Sequence, residues 1–530
     1  MIKKIVLENF KQFRKTEINC KPGKNIFVGE NGAGKTTLLQ ALGLVLSGSH
    51  AQIEKDGIAS LFNVDAVYEF LNNRNIEAFP ELIVEIYFED NVSELPRAFD
   101  IEGKHNSKKE KELGILLIIK QNEEYSEEIS RALEDSDWQV FPFEYYKVEF
   151  ITFSGRHYTN YTRPFRFIHT IIDTSLVNSK HEIQKRIEEV YLENIPAEKR
   201  SQVNHIYRDY NTKCLNDIKE QSLIIEPQSE YTLSFNGTEN SFREAISISK
   251  NNIDVKNLGQ GEKVLLSIEN AHKNIRENVK VILIEEPENH LSYLNMQKLI
   301  NTLSIDTETQ VFISTHSNMI ATRLGVENII FVHEGQVSTF DNVDAETIDF
   351  FKKSTNQNLL NFMQSDKVIL VEGNAEYILM DYFYRKICSS RPEKDGVSII
   401  SADGLSFKRY LNIARGLSSK KIVVITDNDR DYDQNVNKKY AEYEDCSNIR
   451  VYSDDDHNNY TFEICLNNEN KEFIESLKLT SSTDVIKFML REKAEFALRL
   501  LEKLEQLSQE DRETFRVPKY IEEAIKWIKD

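Results

Sequence analysis

Residues 25 to 42, NIFVGENGAGKTTLLQAL, constrain the fold of this chain more than any other stretch. A short apolar strand (Ile26, Phe27, Val28) runs into Gly29-x-x-x-x-Gly34-Lys35-Thr36, and an apolar helical pattern follows. A G-x-x-x-x-G-K-[ST] motif set between a strand and a helix has the context that a phosphate-binding P-loop requires. Gly29, Asn31, Gly32 and Gly34 would let backbone N–H groups close on phosphate oxygens. The helix N-terminus adds the positive end of its dipole. Lys35 is placed to reach the β- and γ-phosphates, the Thr36 hydroxyl to hold Mg²⁺, and Thr37 to line the same pocket. The bland alternative, a glycine-rich turn opening a helix, explains neither the lysine nor the paired threonines.

Two further strand ends fit a nucleotide site. VILIEEPENHLS (281–292) is a buried parallel strand carrying Glu285 and Glu286 at its C-terminal end, where ligands of open α/β sheets gather. Glu285 reads as the Mg²⁺-side carboxylate and Glu286 as the base that orients the attacking water. A polar strand end is the alternative for both. QVFISTHS (310–317) is another buried strand, and His316 lies where a residue sensing the γ-phosphate is expected; a structural histidine is its alternative. Between them, NLGQGEKVLLSIENA (257–271) offers Gly259, Gln260 and Gly261 at a helix N-terminus, a second phosphate site.

On these residues the chain resembles the ABC-type ATPases of the chromosome-maintenance and recombination-repair group. Their signature loop reads L-S-G-G-[QE]; here it is Leu258-Gly259-Gln260-Gly261-Glu262, without the serine. The resemblance implies that the γ-phosphate rests on backbone N–H groups or on Gln260. It also implies that the signature of one copy closes on ATP held by another, so that the heads pair. The opening IKKIVLENFKQFRKTEI is similar to the start of such heads.

The spacing from Lys35 to Leu258 exceeds what a compact head needs. PELIVEIYFED (80–90) and ELGILLIIK (112–120) read as strands of its antiparallel part. From about 165 to 225 the pattern turns helical, and no heptad lasts three repeats, which argues for a short insertion rather than a long coiled coil. Dimer contact or partner docking suits such an insertion. FSGRHYTNYTRPFR (153–166) interleaves Arg156, Arg163 and Arg166 with aromatics; nucleic-acid stacking and edge-strand packing are both open for it.

After a polar region at 341–366, KVILVEGNAEYILMDYFY (367–384) delivers Glu372 to a turn at Gly373, with Glu376 opening a helix. An acid in a helix's first turn is favourable for dipole reasons alone. VVITDNDRDYD (423–433) is a second apolar strand ending in acids. A calcium loop starting at Asp427 would put Tyr432 where glycine is needed and Lys438 where the bidentate glutamate belongs, so that reading fails. Two parallel strands bringing acids to neighbouring C-terminal ends suit a pair of divalent ions on a phosphodiester.

These motifs resemble a TOPRIM domain, and with the ATPase head before it the chain resembles the OLD (overcoming lysogenization defect) family of ATP-dependent nucleases. The pattern is E-G-x-x-E, D-x-D, then a later glutamate and a lysine. Glu372 and Glu376 match the first element and Asp427 and Asp429 the second. The resemblance alone assigns Glu463, in SDDDHNNYTFEICLN, as a further metal ligand, and Lys493, in FMLREKAEFALRL, as the group neutralising the scissile phosphate. Asp403 ends another strand and is a candidate for an added ligand. The implied α/β architecture is an ABC-type P-loop ATPase head over 1–350, with its helical insertion, followed by a Rossmann-like TOPRIM domain with C-terminal helices over 365–530.

Composition agrees. A chain of 530 residues with 40% hydrophobic and 29% charged residues is globular and multidomain. Five scattered cysteines without C-x-x-C spacing argue against a disulfide framework or zinc cage and fit a reducing cytoplasm. No apolar run is long enough for a membrane helix and the N-terminus lacks a signal-peptide pattern. A net charge of −20 demands that nucleic-acid binding rest on local basic groups or bound metal. The expectation is an ATP-regulated, Mg²⁺- or Mn²⁺-dependent DNA endonuclease acting as a dimer or tetramer. The resemblance places it in antiphage defence, beside a reverse transcriptase and its RNA–DNA product in retrons or a helicase-like partner in Gabija systems. The alternative is an ATP-driven repair clamp with a vestigial TOPRIM domain; a topoisomerase or primase would share the metal site but lacks a strand-passage or zinc module here.

Overall fold

A computed structural model describes the chain except residues 74–78, 95–97, 135–139, 165–167, 174–195, 222, 224–248, 251–252, 255–256, 260, 266–279, 306–308, 341–342, 354–357, 403–406, 416, 418–419 and 481–483. Gln260, Asp403, Arg166 and much of the expected insertion therefore lie outside the described residues. Two compact units are distinguished. One holds Met1–Lys11, Asn19–Lys24 and Thr36–Thr315; the other holds Gln12–Ile18, Asn25–Lys35 and His316–Asp530. The stretch 316–350, which the sequence suggests as the end of the ATPase domain, thus groups with the C-terminal residues.

In the first unit, strands Ile2–Phe10, Leu82–Phe88, Glu112–Gln121 and Tyr146–Thr152 pair antiparallel in that order. The runs Leu82–Phe88 and Ile115–Ile119 are too apolar for a half-solvated sheet, and their side chains are mostly buried. Glu85 is an exception with partners: its carboxylate accepts from Tyr87 Oη (2.7 Å), Ser107 N (2.6 Å) and Ser107 Oγ (2.9 Å). A parallel trio places Lys280–Glu285 between Gln310–Ser314 and Ile168–Asp173. The last strand corrects the expectation of helix from about residue 165. The β-branched run Thr170-Ile171-Ile172 suits a parallel strand, and the described helix begins only at Ala197 (Ala197–Glu220). The buried Gln310 side chain bonds both Ile2 N and Ile2 O at 2.8 Å, tying the start of the antiparallel sheet to the parallel trio.

In the second unit, Lys24–Val28 runs parallel to Ile329–His333, which turns back antiparallel into Gln336–Thr339. Helices Asn318–Arg323, Ala345–Lys353 and Leu359–Gln364 follow. A four-stranded, all-parallel sheet then runs in the order Val397–Ser401, Lys367–Val371, Lys421–Ile425, Ile449–Tyr452. Numbered along the chain this is 2-1-3-4, so the order reverses between Lys367–Val371 and Lys421–Ile425. A switch of this kind opens a crevice at the carboxyl ends of the two central strands, the place where doubly wound sheets bind ligands. Helix Asn374–Cys388 and the C-terminal helices Phe462–Ser476, Lys493–Gln506 and Lys519–Lys529 share one buried core with these strands, through Val371, Ile425, Leu379, Phe462, Leu500 and Ile525 among others. Each such side chain contributes roughly 1.5–3 kcal/mol on burial.

Candidate active site

The nucleotide elements have the following local geometry. Gly34 adopts φ +114°, and a Cβ there would stand 2.7 Å from Phe13 Cζ, so only glycine fits. Lys35 is buried, its Nζ donating to Gly29 O (3.0 Å) and Glu30 O (2.8 Å), the loop's own carbonyls. Gly29 O accepts a second bond from Gln364 Nε2 at 3.0 Å, at the end of the helix that leads into strand Lys367–Val371. Asn31 and Gly32 are exposed on the loop, and Thr37 is buried.

In the other unit the Thr36 hydroxyl donates to Glu285 Oε1 at 2.5 Å, joining the two Mg²⁺-side candidates. Glu286 sits in the left-handed region (φ +40°, ψ 58°), with its carboxylate accepting from Asn289 Nδ2 at 2.8 Å. A non-glycine residue held there costs about 1–3 kcal/mol, and such strain persists where the surroundings demand it. Gly261 opens a helical turn, and its Cα lies so close to His290 O that a Cβ would be 2.6 Å away. Gly259 is exposed just before it. His316, in the second unit, follows two residues after strand Gln310–Ser314 and is partly buried.

The carboxylates meet at the switch point of the parallel sheet. Val371 pairs with Ile425, so Glu372 and Thr426 leave the two central strands at one level. Glu372 Oε2 lies 3.4 Å from both Thr426 Oγ1 and Asp427 N. Asp427 Oδ1 accepts from Phe462 N at 2.7 Å, at the N-terminus of helix Phe462–Ser476, where Thr461 caps Ile464 N. Glu463 is the second residue of that helix and is completely buried. Glu376, in the first turn of Asn374–Cys388, is 5% exposed.

Electrostatics binds the group together. Burial, then Glu372, Glu376 and Glu463, push the Asp427 carboxyl up to about 8, against the pull of Lys493. Burial raises Glu376 to about 7, with Glu463 and Glu372 adding to it. Lys493 Nζ is 3.0 Å from Glu463 Oε2. Burial lowers the Lys493 ammonium, but Glu463, Asp427 and Glu376 outweigh it and leave the pKa raised. Beyond that lysine, neither Glu463 oxygen receives a hydrogen bond. Buried acids that repel one another, with donors exclusively oxygen, are the donor set a hard divalent cation requires.

Asp429 stands apart. It is exposed, at φ +48°, with its N–H donating to Tyr460 O at 3.2 Å, and it is absent from the charges acting on Asp427 and Glu376. Among the described residues no three metal-ligating side chains converge into a finished cage. The structure therefore brings together Glu372, Glu376, Asp427, Glu463 and Lys493, and leaves Asp429 at the rim. Sequence reasoning missed Asn428 between the two aspartates. It is fully buried and donates to Asp454 O (2.8 Å) and Asp456 O (2.9 Å), while its Oδ1 accepts from Arg430 N (2.8 Å). The signal was the Asn in an Asp-rich turn, a residue type that bonds its own neighbouring backbone.

Arg156 pairs with Asp100 at 2.9 Å, and Arg163 donates to Asn160 O (3.1 Å) and Leu46 O (3.4 Å). Both side chains serve the protein's own packing. Among the described residues no helix is long and apolar enough to cross a membrane.

The AAA ATPase domain family matches residues 1–321, and the overcoming lysogenization defect protein-like TOPRIM domain matches residues 363–429. The chain is similar to Endonuclease GajA of Bacillus cereus (strain HuB5-5), 20% identical over 536 residues, covering 84% of this chain and 77% of that one. It is 36% identical over 56 residues to the DNA replication and repair protein RecF of Renibacterium salmoninarum, a match that covers 11% of this chain and spans 14% of that relative. Among solved structures it resembles the SmcHead bound to the C-winged helix domain of ScpA, at 16% identity and a TM-score of 0.36, covering 64% of this chain and 97% of that one.

Proposed function

The chain belongs to the AAA ATPase domain family and carries an OLD-like TOPRIM domain, an OLD-family ATPase–nuclease, and from that premise we propose that it is a divalent-metal-dependent DNA endonuclease governed by ATP. The observation that carries this reading is the meeting of Glu372, Glu376, Asp427 and Glu463 at the sheet's switch point, with Lys493 against Glu463. These four acids would hold Mg²⁺ or Mn²⁺, with Asp429 joining from the rim. Bound there, the cation supplies Lewis-acid polarisation of the phosphodiester and a water activated near neutral pH. Lys493 offsets the negative charge that builds on the scissile phosphate. Asp427, anchored by Phe462 N, keeps its second carboxylate oxygen for the site.

On the nucleotide side, Lys35 would exchange the carbonyls of Gly29 and Glu30 for ATP phosphates. Thr36 and Glu285 would hold Mg²⁺, Glu286 would orient the attacking water, and His316 would sense the γ-phosphate. Gly259, Gln260 and Gly261 of a second copy complete the site, so that the working form is a dimer or tetramer. Support for ATP control comes from Gly29 O, which Lys35 and Gln364 share. With Lys35 drawn to phosphate, Gln364 would still link the loop to the strand that leads to Glu372. The biological setting we attach is cytoplasmic antiphage defence, retron-associated or Gabija-like, with a reverse transcriptase and RNA–DNA product or a helicase-like protein as partner.

The exposed, separate position of Asp429 favours the second reading, an ATP-driven repair clamp with a vestigial TOPRIM site. Supercoiled plasmid incubated with Mg²⁺ or Mn²⁺ and ATP separates the two. The nuclease reading expects nicks or breaks from wild type and none from Asp427→Ala; plasmid left intact by both, with partners present or absent, decides for the clamp.

A further inference from the structure

Immediately after Asp427 and Asn428 the backbone does something costly. Asp429 (φ +48°) and Arg430 (φ +69°) are consecutive non-glycine residues in the left-handed region. Each costs about 1–2 kcal/mol there, so their surroundings must impose the turn. Three contacts do so: Asn428 Oδ1 accepts from Arg430 N (2.8 Å), Tyr460 O from Asp429 N (3.2 Å), and the His457 ring meets Arg430 O (2.6 Å). The outcome is the placement of one side chain. The Arg430 guanidinium lies over the Tyr460 ring, 4.1 Å from its centroid, and is exposed to solvent.

Arg430 makes no ion pair with any described residue, although acids crowd its part of the chain. Several of those acids are engaged elsewhere. Asp431 accepts from Gln434 N, Asp433 pairs with Lys438, and Asp454 and Asp456 bond within their own loop. An arginine whose flat face rests on an aromatic ring keeps its edge N–H donors pointing outward in a fork matched to phosphate oxygens. In a chain of net charge −20, such a group beside a cluster of acids answers a physical need: DNA must be held where its own charge is repelled.

We propose that Arg430, seated on Tyr460, is a phosphate-binding residue that holds the DNA backbone beside the bond to be cut. This rests on the nuclease reading and adds to it a substrate contact outside the metal ligands. The strained turn that follows Asn428 thereby presents the guanidinium outward.

The test uses the full-length protein in two backgrounds. In Asp427→Ala protein, anisotropy of a fluorescein-labelled duplex is measured over a KCl series with Arg430 intact, as Arg430→Ala and as Arg430→Lys. Loss of the guanidinium should weaken binding about tenfold and make the slope of log K against log salt shallower by about 1. Lysine should recover the slope but only part of the affinity. In otherwise wild-type protein, Arg430→Ala should raise KM about tenfold with kcat changed less. Tyr460→Leu keeps the backbone acceptor and should reproduce part of the loss, with melting temperatures confirming that each variant is folded. Unchanged affinity, slope and KM in Arg430→Ala, while wild type cuts and Asp427→Ala does not, overturns this inference and leaves the nuclease standing. If wild type cuts no DNA, the nuclease reading falls and takes the inference with it.

Discussion

Lys493 Nζ lies 3.0 Å from Glu463 Oε2, a half-exposed ammonium set against a carboxylate with no exposure at all. Lys493 is the first residue of helix Lys493–Gln506, where the positive end of the dipole disfavours a cation. The pairing with a buried acid offsets that penalty. Removing the lysine as Lys493→Ala leaves Glu463 uncompensated and should destabilise the metal-free protein by about 1–3 kcal/mol, less than a fully buried pair because Lys493 is partly solvated. Thermal denaturation checks it, and added Mn²⁺ should restore most of the loss.

The raised carboxyls make stability depend on pH. Asp427 near 8 and Glu376 near 7 lie above their ordinary values, so the folded state holds protons that the unfolded chain has released. Their stabilising effect is full below about pH 4 and is lost as pH climbs through the 7–8 range. Metal-free Asp427→Asn should therefore melt higher than wild type at pH 8, by roughly 1–2 kcal/mol, with the difference vanishing near pH 4. Wild type should gain more from Mn²⁺ at pH 8 than at pH 6, since protons compete for the same oxygens.

Glu286 couples strain to chemistry. Its φ of +40° is one that glycine adopts freely. Glu286→Gly should stabilise the protein by up to about 1 kcal/mol while reducing ATP turnover at least about 100-fold, with nucleotide still bound. Lys35→Ala should instead lose ATP binding and leave metal-dependent melting shifts intact. Calorimetric ATP titration and a phosphate-release assay separate these outcomes.

Gln364 tests whether ATP reaches the nuclease through the Gly29 carbonyl. Gln364→Ala should shrink the change in cleavage rate caused by ATP, with cleavage in its absence continuing. An ATP response equal to wild type would remove Gln364 from the link.

Much of this site could be read from residues alone because strands declare themselves. Ile369–Val371 and Val423–Ile425 are apolar runs ended by acids, and their parallel pairing turns sequence neighbours of strand ends into spatial neighbours. Local periodicity carried less elsewhere. In FMLREKAEFALRL, Glu492 separates helix Val485–Arg491 from Lys493–Gln506, at φ −118° and ψ 50°, and Lys493 meets Glu463. Thr170-Ile171-Ile172 lay inside an expected helical stretch because its partner strand begins more than a hundred residues later. The paired left-handed residues Asp429 and Arg430 were not legible, since neither is glycine and the contacts imposing the turn come from residues 457–460. Long-range hydrogen bonding decides such conformations, and no local pattern announces it.

Glu463 carries the central claim most directly, because the family resemblance alone singled it out and the structure buries it against Lys493 and beside Asp427. Single-turnover cleavage of an end-labelled duplex in Mn²⁺ and ATP, wild type against Glu463→Gln, is the measurement. A metal-dependent nuclease site predicts that the amide variant folds, hydrolyses ATP at the wild-type rate and cuts at least about 100-fold more slowly. Cleavage by Glu463→Gln at the wild-type rate would contradict it.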